Sequence, residues 1–162
     1  MKTKKIRKVI LFMIAIMLFS TSAVMASESA AAKQKFSAET IKILELVNSQ
    51  RTNRGIPKLK IDEKLNRLAQ MKAEDMAENK YFSHNSPTYG SAFDMMQEYN
   101  YSYRTAGENI AKGQKTPQSV MRAWMGSSGH RANILKGSYS KLGVGYALSK
   151  SGTPYWVQIF AG

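Results

Sequence analysis

The chain has 162 residues, with 24 Lys and Arg against 11 Asp and Glu, two His and no Cys. The lack of cysteine excludes a disulfide framework, thiolate metal sites and Cys nucleophiles, so stability must come from a hydrophobic core. The basic residues are scattered, and no basic run is interleaved with stacking aromatics. This pattern excludes a nucleic-acid partner and leaves acidic wall polymers or anionic lipid head groups as chemically permitted ones.

Lys2, Lys4, Lys5, Arg7 and Lys8 form a basic start, followed by the uncharged run Val9 to Phe19 and the small pair Val24 and Ala26. The run is too short to span a bilayer but suits a secretory signal, so residues 1–26 are expected to be a signal peptide cleaved after Ala26. The alternative is an uncleaved N-terminal anchor. Cleavage would leave 136 residues with 19 basic and 11 acidic side chains, one domain's worth of chain. Localisation is then secreted, extracellular or wall-associated, with no stable membrane insertion after cleavage and a monomer expected. Residues 27–36 read as a linker and 37–162 as a single domain.

Helical periodicity starts after Ser37, with Ile43, Leu44 and Val47 apolar, and Gly55-Ile56-Pro57 ends it. Asp62 opens a second helix whose stripe is Leu65, Leu68, Ala69, Ala73 and Met76; Lys64, Arg67, Lys72 and Glu74 are expected to point elsewhere. A short helix is predicted over Ser91 to Tyr99 and a strand over Arg104 to Lys112. Thr116-Pro117 is an N-cap with Pro at the first helical position, and Val120, Ala123 and Trp124 form that helix's stripe. The string Gly126-Ser127-Ser128-Gly129 breaks it, and one further turn follows over Arg131 to Leu135. Leu142 to Leu148 and Tyr155 to Ala161 alternate as a hairpin around Gly152. Trp156 and Phe160 on its second face suggest helices on both sides. The fold class is therefore α+β, with a small antiparallel sheet between helical layers.

Both histidines sit in small polar segments at element ends: His84 in Phe82-Ser83-His84-Asn85, and His130 in Ser128-Gly129-His130-Arg131. Between them Gly107-Glu108-Asn109-Ile110 places a carboxylate on a largely apolar strand. Two His and one carboxylate match the ligand count of an open metal site, although a lone His is more often a hydrogen-bonded structural residue and a buried Glu usually caps or pairs. Trp124, Trp156, Phe82 and Phe160 read as core. Tyr89, Tyr99, Tyr101 and Tyr103 could form a rim near the cleft, and Asn109 and Asn133 would hold its shape. Arg131 is placed to pair with Glu108 or with a nearby carbonyl.

The strings Phe82-Ser83-His84, Gly107-Glu108-Asn109-Ile110, Ala123-Trp124 and Gly129-His130-Arg131-Ala132-Asn133-Ile134-Leu135, in that order, resemble the bacterial branch of the CAP superfamily. That superfamily contains cysteine-rich secretory proteins, venom allergens and pathogenesis-related plant proteins. The resemblance spans about residues 39–161 and implies an α-β-α sandwich with a cleft that often binds a divalent metal, zinc or magnesium. Carried over, the metal residues would be His84, Glu108 and His130, with Ser127, Asn109 and Arg131 lining the cleft. Animal and plant members usually carry a second glutamate three residues after the helical Trp, where this chain has Ser127. Hydrolysis would need a general base that Ser127 cannot supply at neutral pH. The expected function is thus an extracellular binding or signalling module for a wall component, lipid or host protein. A metal-dependent hydrolase and a structural envelope or spore-layer protein are the alternatives, and no catalytic residue is assigned.

Overall fold

The computed structural model describes residues 36–162. The expected signal peptide, and all but the last residue of the expected linker, lie outside the described residues. Residues Glu39–Gly162 form one compact unit.

In chain order the elements are α1 (Ala38–Thr52), β1 (Lys60–Ile61), α2 (Glu63–Glu78), α3 (Ala92–Glu98), β2 (Ala106–Lys112), α4 (Pro117–Gly126), α5 (Ser128–Leu135), β3 (Lys141–Leu148) and β4 (Pro154–Ala161). Local chemistry sets the helix starts. The Asp62 side chain accepts from Lys64 N and Leu65 N, while Ser91/Asp94 and Thr116/Ser119 form reciprocal capping boxes at α3 and α4. Gly55, at φ +70°, takes the left-handed turn that ends the first helical segment. The last helix is longer than the single turn expected, since Ser127 alone is extended and Ser128 re-enters helix.

The sheet order is β1-β3-β4-β2. β4 is central and antiparallel to both β2 and β3, while the two-residue β1 runs parallel to β3. This short parallel strand makes the sheet mixed; two residues carry no readable alternation in the sequence. Every residue of β4 is buried. Tyr155, Val157 and Ile159 pack with Leu65, Leu68 and Met76 of α2 and Met95 of α3. On the other face Trp156 and Phe160 pack with Ile43 and Val47 of α1, Val120 and Trp124 of α4 and Ile134 of α5. The sandwich is α-β-α, as the two-faced hairpin implied.

Two devices fix the helices on the sheet. Beyond Leu142, β3 has no strand on its outer side among the described residues, and α2 closes that edge with side chains. Asn66 Oδ1 accepts from Val144 N at 3.2 Å, and Gln70 exchanges two bonds with Tyr146 at 3.0 and 2.9 Å. Such closeness needs bare backbone on β3: a Cβ on Gly145 would lie 2.0 Å from the Ala69 carbonyl oxygen. The second device is Arg51, fully buried on α1, whose guanidinium donates to the carbonyls of Pro57, Ile134, Lys136 and Tyr139 at 2.8–3.0 Å. It thereby satisfies carbonyls that the end of α5 leaves without helical partners.

Candidate functional site

β2 is an edge strand, and its residues alternate between the helical layers. Glu108 and Ile110 face the α2–α3 side, while Asn109 and Ala111 face α5. The loop after α2 carries His84 to Glu108, where His84 Nδ1 donates to Glu108 Oε2 at 2.5 Å. The Glu108 side chain is 5% exposed and that of His84 60% exposed, so a buried carboxylate orients an open imidazole. The other carboxylate oxygen, Glu108 Oε1, is buried without a hydrogen-bond partner among the described residues.

Two α2 side chains hold the His84 loop. Lys72 is fully buried and donates to the His84 carbonyl at 2.7 Å. It was expected on the polar face, yet it sits four residues from both Leu68 and Met76, on the apolar stripe. Burial lowers its pKa, with Glu108 and Asp75 pulling the other way. Asp75 accepts from Ser86 Oγ at 2.6 Å, Thr88 Oγ1 at 2.8 Å, Asn79 Nδ2 at 2.7 Å and the Tyr81 hydroxyl. Burial raises the Asp75 pKa, but these four bonds outweigh it and hold the carboxyl below its ordinary value.

The second histidine approaches from α5. Asn109, fully buried, donates to the His130 carbonyl at 3.1 Å and to Gln158 Oε1 at 3.0 Å. Asn133 donates to Glu108 O at 3.0 Å and Asn109 Oδ1 at 2.9 Å. This amide network ties the start of α5 to β2, the shape-holding role expected of both asparagines. Gln158, its third member, was not singled out in the sequence because it alternates within a strand between two aromatics.

His84 and His130 then line one open cleft of about 430 Å³ with Phe82, Ser83, Asn85 and Ile110. Asn109, Ser127 and Arg131, expected along it, lie outside that lining. Asn109 alternates onto the opposite face, Ser127 is the extended junction between α4 and α5, and Arg131 donates to the Met125 carbonyl at 2.8 Å. Phe82, expected in the core, is 48% exposed at the rim because it follows the end of α2. Tyr89, Tyr99 and Tyr101 instead pack against the α2–α3 core. The histidines diverge electrostatically. The hydrogen bond to Glu108 raises the His84 pKa against a smaller opposing effect of burial, whereas burial and neighbouring His84 lower that of His130.

Among the described residues no three His, Asp or Glu side chains converge as a ligand set. No third side chain converges with the two imidazoles, so the described residues do not fit a three-ligand centre. Their chemistry matches two imidazole donors, one of them oriented by a carboxylate.

The family model described as the cysteine-rich secretory protein family, CAP, matches residues 44–160. The chain belongs to this family. The chain is 51% identical over 131 residues to uncharacterized protein YkwD of Bacillus subtilis (strain 168), covering 81% of this chain and 50% of that protein. The chain thus spans about half the length of that relative. A solved extracellular protein containing an SCP domain, from Bacillus anthracis str. Ames, is 32% identical with a TM-score of 0.69, over 76% of this chain and 40% of that one. The structure of NaASP2 with Zn2+ is 17% identical with a TM-score of 0.57, covering 79% and 82% of the two chains; that likeness shows the fold alone. Among the described residues, no helix of this CAP chain is long and apolar enough to cross a membrane.

Proposed function

We propose that this CAP chain is a secreted binding or signalling module that recognises a wall component, lipid or host molecule through the His84–His130 cleft. The observation that carries the reading is Glu108, whose buried carboxylate spends one oxygen on the cleft residue His84 and leaves the other unpartnered among the described residues. The bond to Oε2 orients the His84 ring for a ligand, and the unpaired Oε1 is costly unless something binds it. The cleft floor is apolar at Ile110 and the rim is apolar at Phe82, with two imidazoles as the polar handles.

Hydrolysis is disfavoured, since Ser127 stands where a second carboxylate would serve as base and lies outside the cleft lining. A divalent ion would be held by the His84 and His130 imidazoles, with Glu108 fixing His84, and would supply Lewis acidity there. Imidazole donors favour zinc over magnesium, and a CAP neighbour was solved with Zn2+.

The test is calorimetry of the purified protein against wall fragments and lipid vesicles, with and without zinc, beside peptide and ester hydrolysis assays. Binding that disappears in His84→Ala and His130→Ala, without turnover, supports the module. Metal-dependent turnover that vanishes in Glu108→Gln would replace it with the hydrolase reading.

A further inference from the structure

A second cleft has a volume of about 500 Å³. Glu108, Ile110 and Lys112 share one face of β2; Ile110 lines the His84 cleft and Lys112 lines this one. Two residues along a strand separate them by about 7 Å. Lys80 enters from the end of α2 and Lys150 from the β3–β4 turn. Among the described residues none of these three lysines forms an ion pair. Lys112 is held with Nζ 5.0 Å from the centre of the Tyr155 ring. Opposing charge comes from Glu78, which also lines the cleft, and from the carbonyl end of α2. Three ammonium groups exceed both.

The turn adds a row of hydroxyls. Ser149 Oγ lies 3.0 Å from Ser151 Oγ, which lies 3.3 Å from Thr153 Oγ1, and all three residues line the cleft. We infer that this cleft binds the phosphates of a phosphodiester-linked polyol, an extended polyanion whose chain continues toward His84. Lysines bind phosphate as point charges, whereas carboxylate recognition recruits the planar Arg fork, and among the described residues no Arg lines the cleft. Nucleic acid would want exposed aromatic platforms, but Tyr155, the one aromatic lining the cleft among the described residues, is 2% exposed. The hydroxyls instead suit the alcohol oxygens of a polyol. The lysine cleft stands on these residues alone; the continuation toward His84 rests on the function proposed above.

Calorimetry with poly(glycerol phosphate) tests the inference, alongside inorganic phosphate, neutral dextran and a single-stranded oligonucleotide of equal charge. The polymer should bind more tightly than any of these. Its affinity should fall about tenfold or more in Lys80→Gln/Lys112→Gln/Lys150→Gln, and the log–log salt slope should become shallower by about two. Glu78→Gln should tighten binding. Lys58→Gln/Lys60→Gln/Arg67→Gln, exposed positions outside the cleft lining, should leave affinity within about twofold while matching the charge change. Equal loss in the two triple variants would overturn the site in favour of general charge attraction. Equal binding of the oligonucleotide, or of inorganic phosphate, would overturn the polyol polymer. Unchanged polymer affinity in His84→Ala would overturn the continuation into the first cleft and leave the lysine cleft standing.

Discussion

Arg51→Met should destabilise the domain by about 3 kcal/mol. The guanidinium makes four bonds to backbone carbonyls, of which those to Ile134 and Tyr139 are buried and those to Pro57 and Lys136 part-buried. In the variant the part-buried carbonyls regain water, while each buried one loses about 1–3 kcal/mol. Two such losses give roughly 2–6 kcal/mol. Methionine recovers some of this by filling the space without the desolvation of a cation, a cost visible in the lowered Arg51 pKa. A urea titration reads the result: with a slope near 2 kcal/mol/M, the midpoint should fall by about 1.5 M. Arg51→Lys should fall between, because one ammonium cannot span carbonyls at both ends of the fork. A midpoint shift below about 0.5 M in Arg51→Met, at unchanged slope, would mean that Arg51 does not clamp α5.

The two histidines should titrate on opposite sides of the ordinary value of 6.5, His84 above and His130 below, in a two-dimensional NMR pH series. Glu108→Gln should bring His84 down. Because the folded-state pKa of His84 is raised, its stabilising share is fully present below 6.5 and fades as pH rises through the folded value. Asp75 behaves in the reverse sense: its share is present above the ordinary 3.8 and is lost as pH falls through the lowered folded value, so acid should release the His84 loop before the core, as amide exchange would show. Trp124→Ala should cost about 3–5 kcal/mol by thermal melt, since the indole is 1% exposed and donates to the Ile110 carbonyl at 3.2 Å; an unchanged melt would contradict that burial. Gly145→Ala should destabilise by about 1–3 kcal/mol or more, because α2 must lift off β3 to admit the methyl group.

Periodicity and capping residues determined most of the elements, but not the two-residue β1 or the first turn of α5. The α2 stripe, the Thr116-Pro117 start of α4 and the alternation in β3 and β4 are local signals, and the helices and hairpin formed where they pointed. The order of motifs around His84, Glu108 and His130 likewise identified the family. Tertiary structure decided where the polar groups spend their bonds. Nothing in the local pattern says that Lys72 points inward to a carbonyl twelve residues away, that Arg51 reaches carbonyls more than eighty residues on, or that Arg131 turns to Met125 and not to Glu108. Phe82 is exposed for the same reason: a residue just past a helix end takes its burial from the neighbours that the fold brings to it. Apolar periodicity is a one-dimensional record of which face is buried, whereas a hydrogen-bond partner is a three-dimensional fact set by which strand edge or helix end arrives beside it.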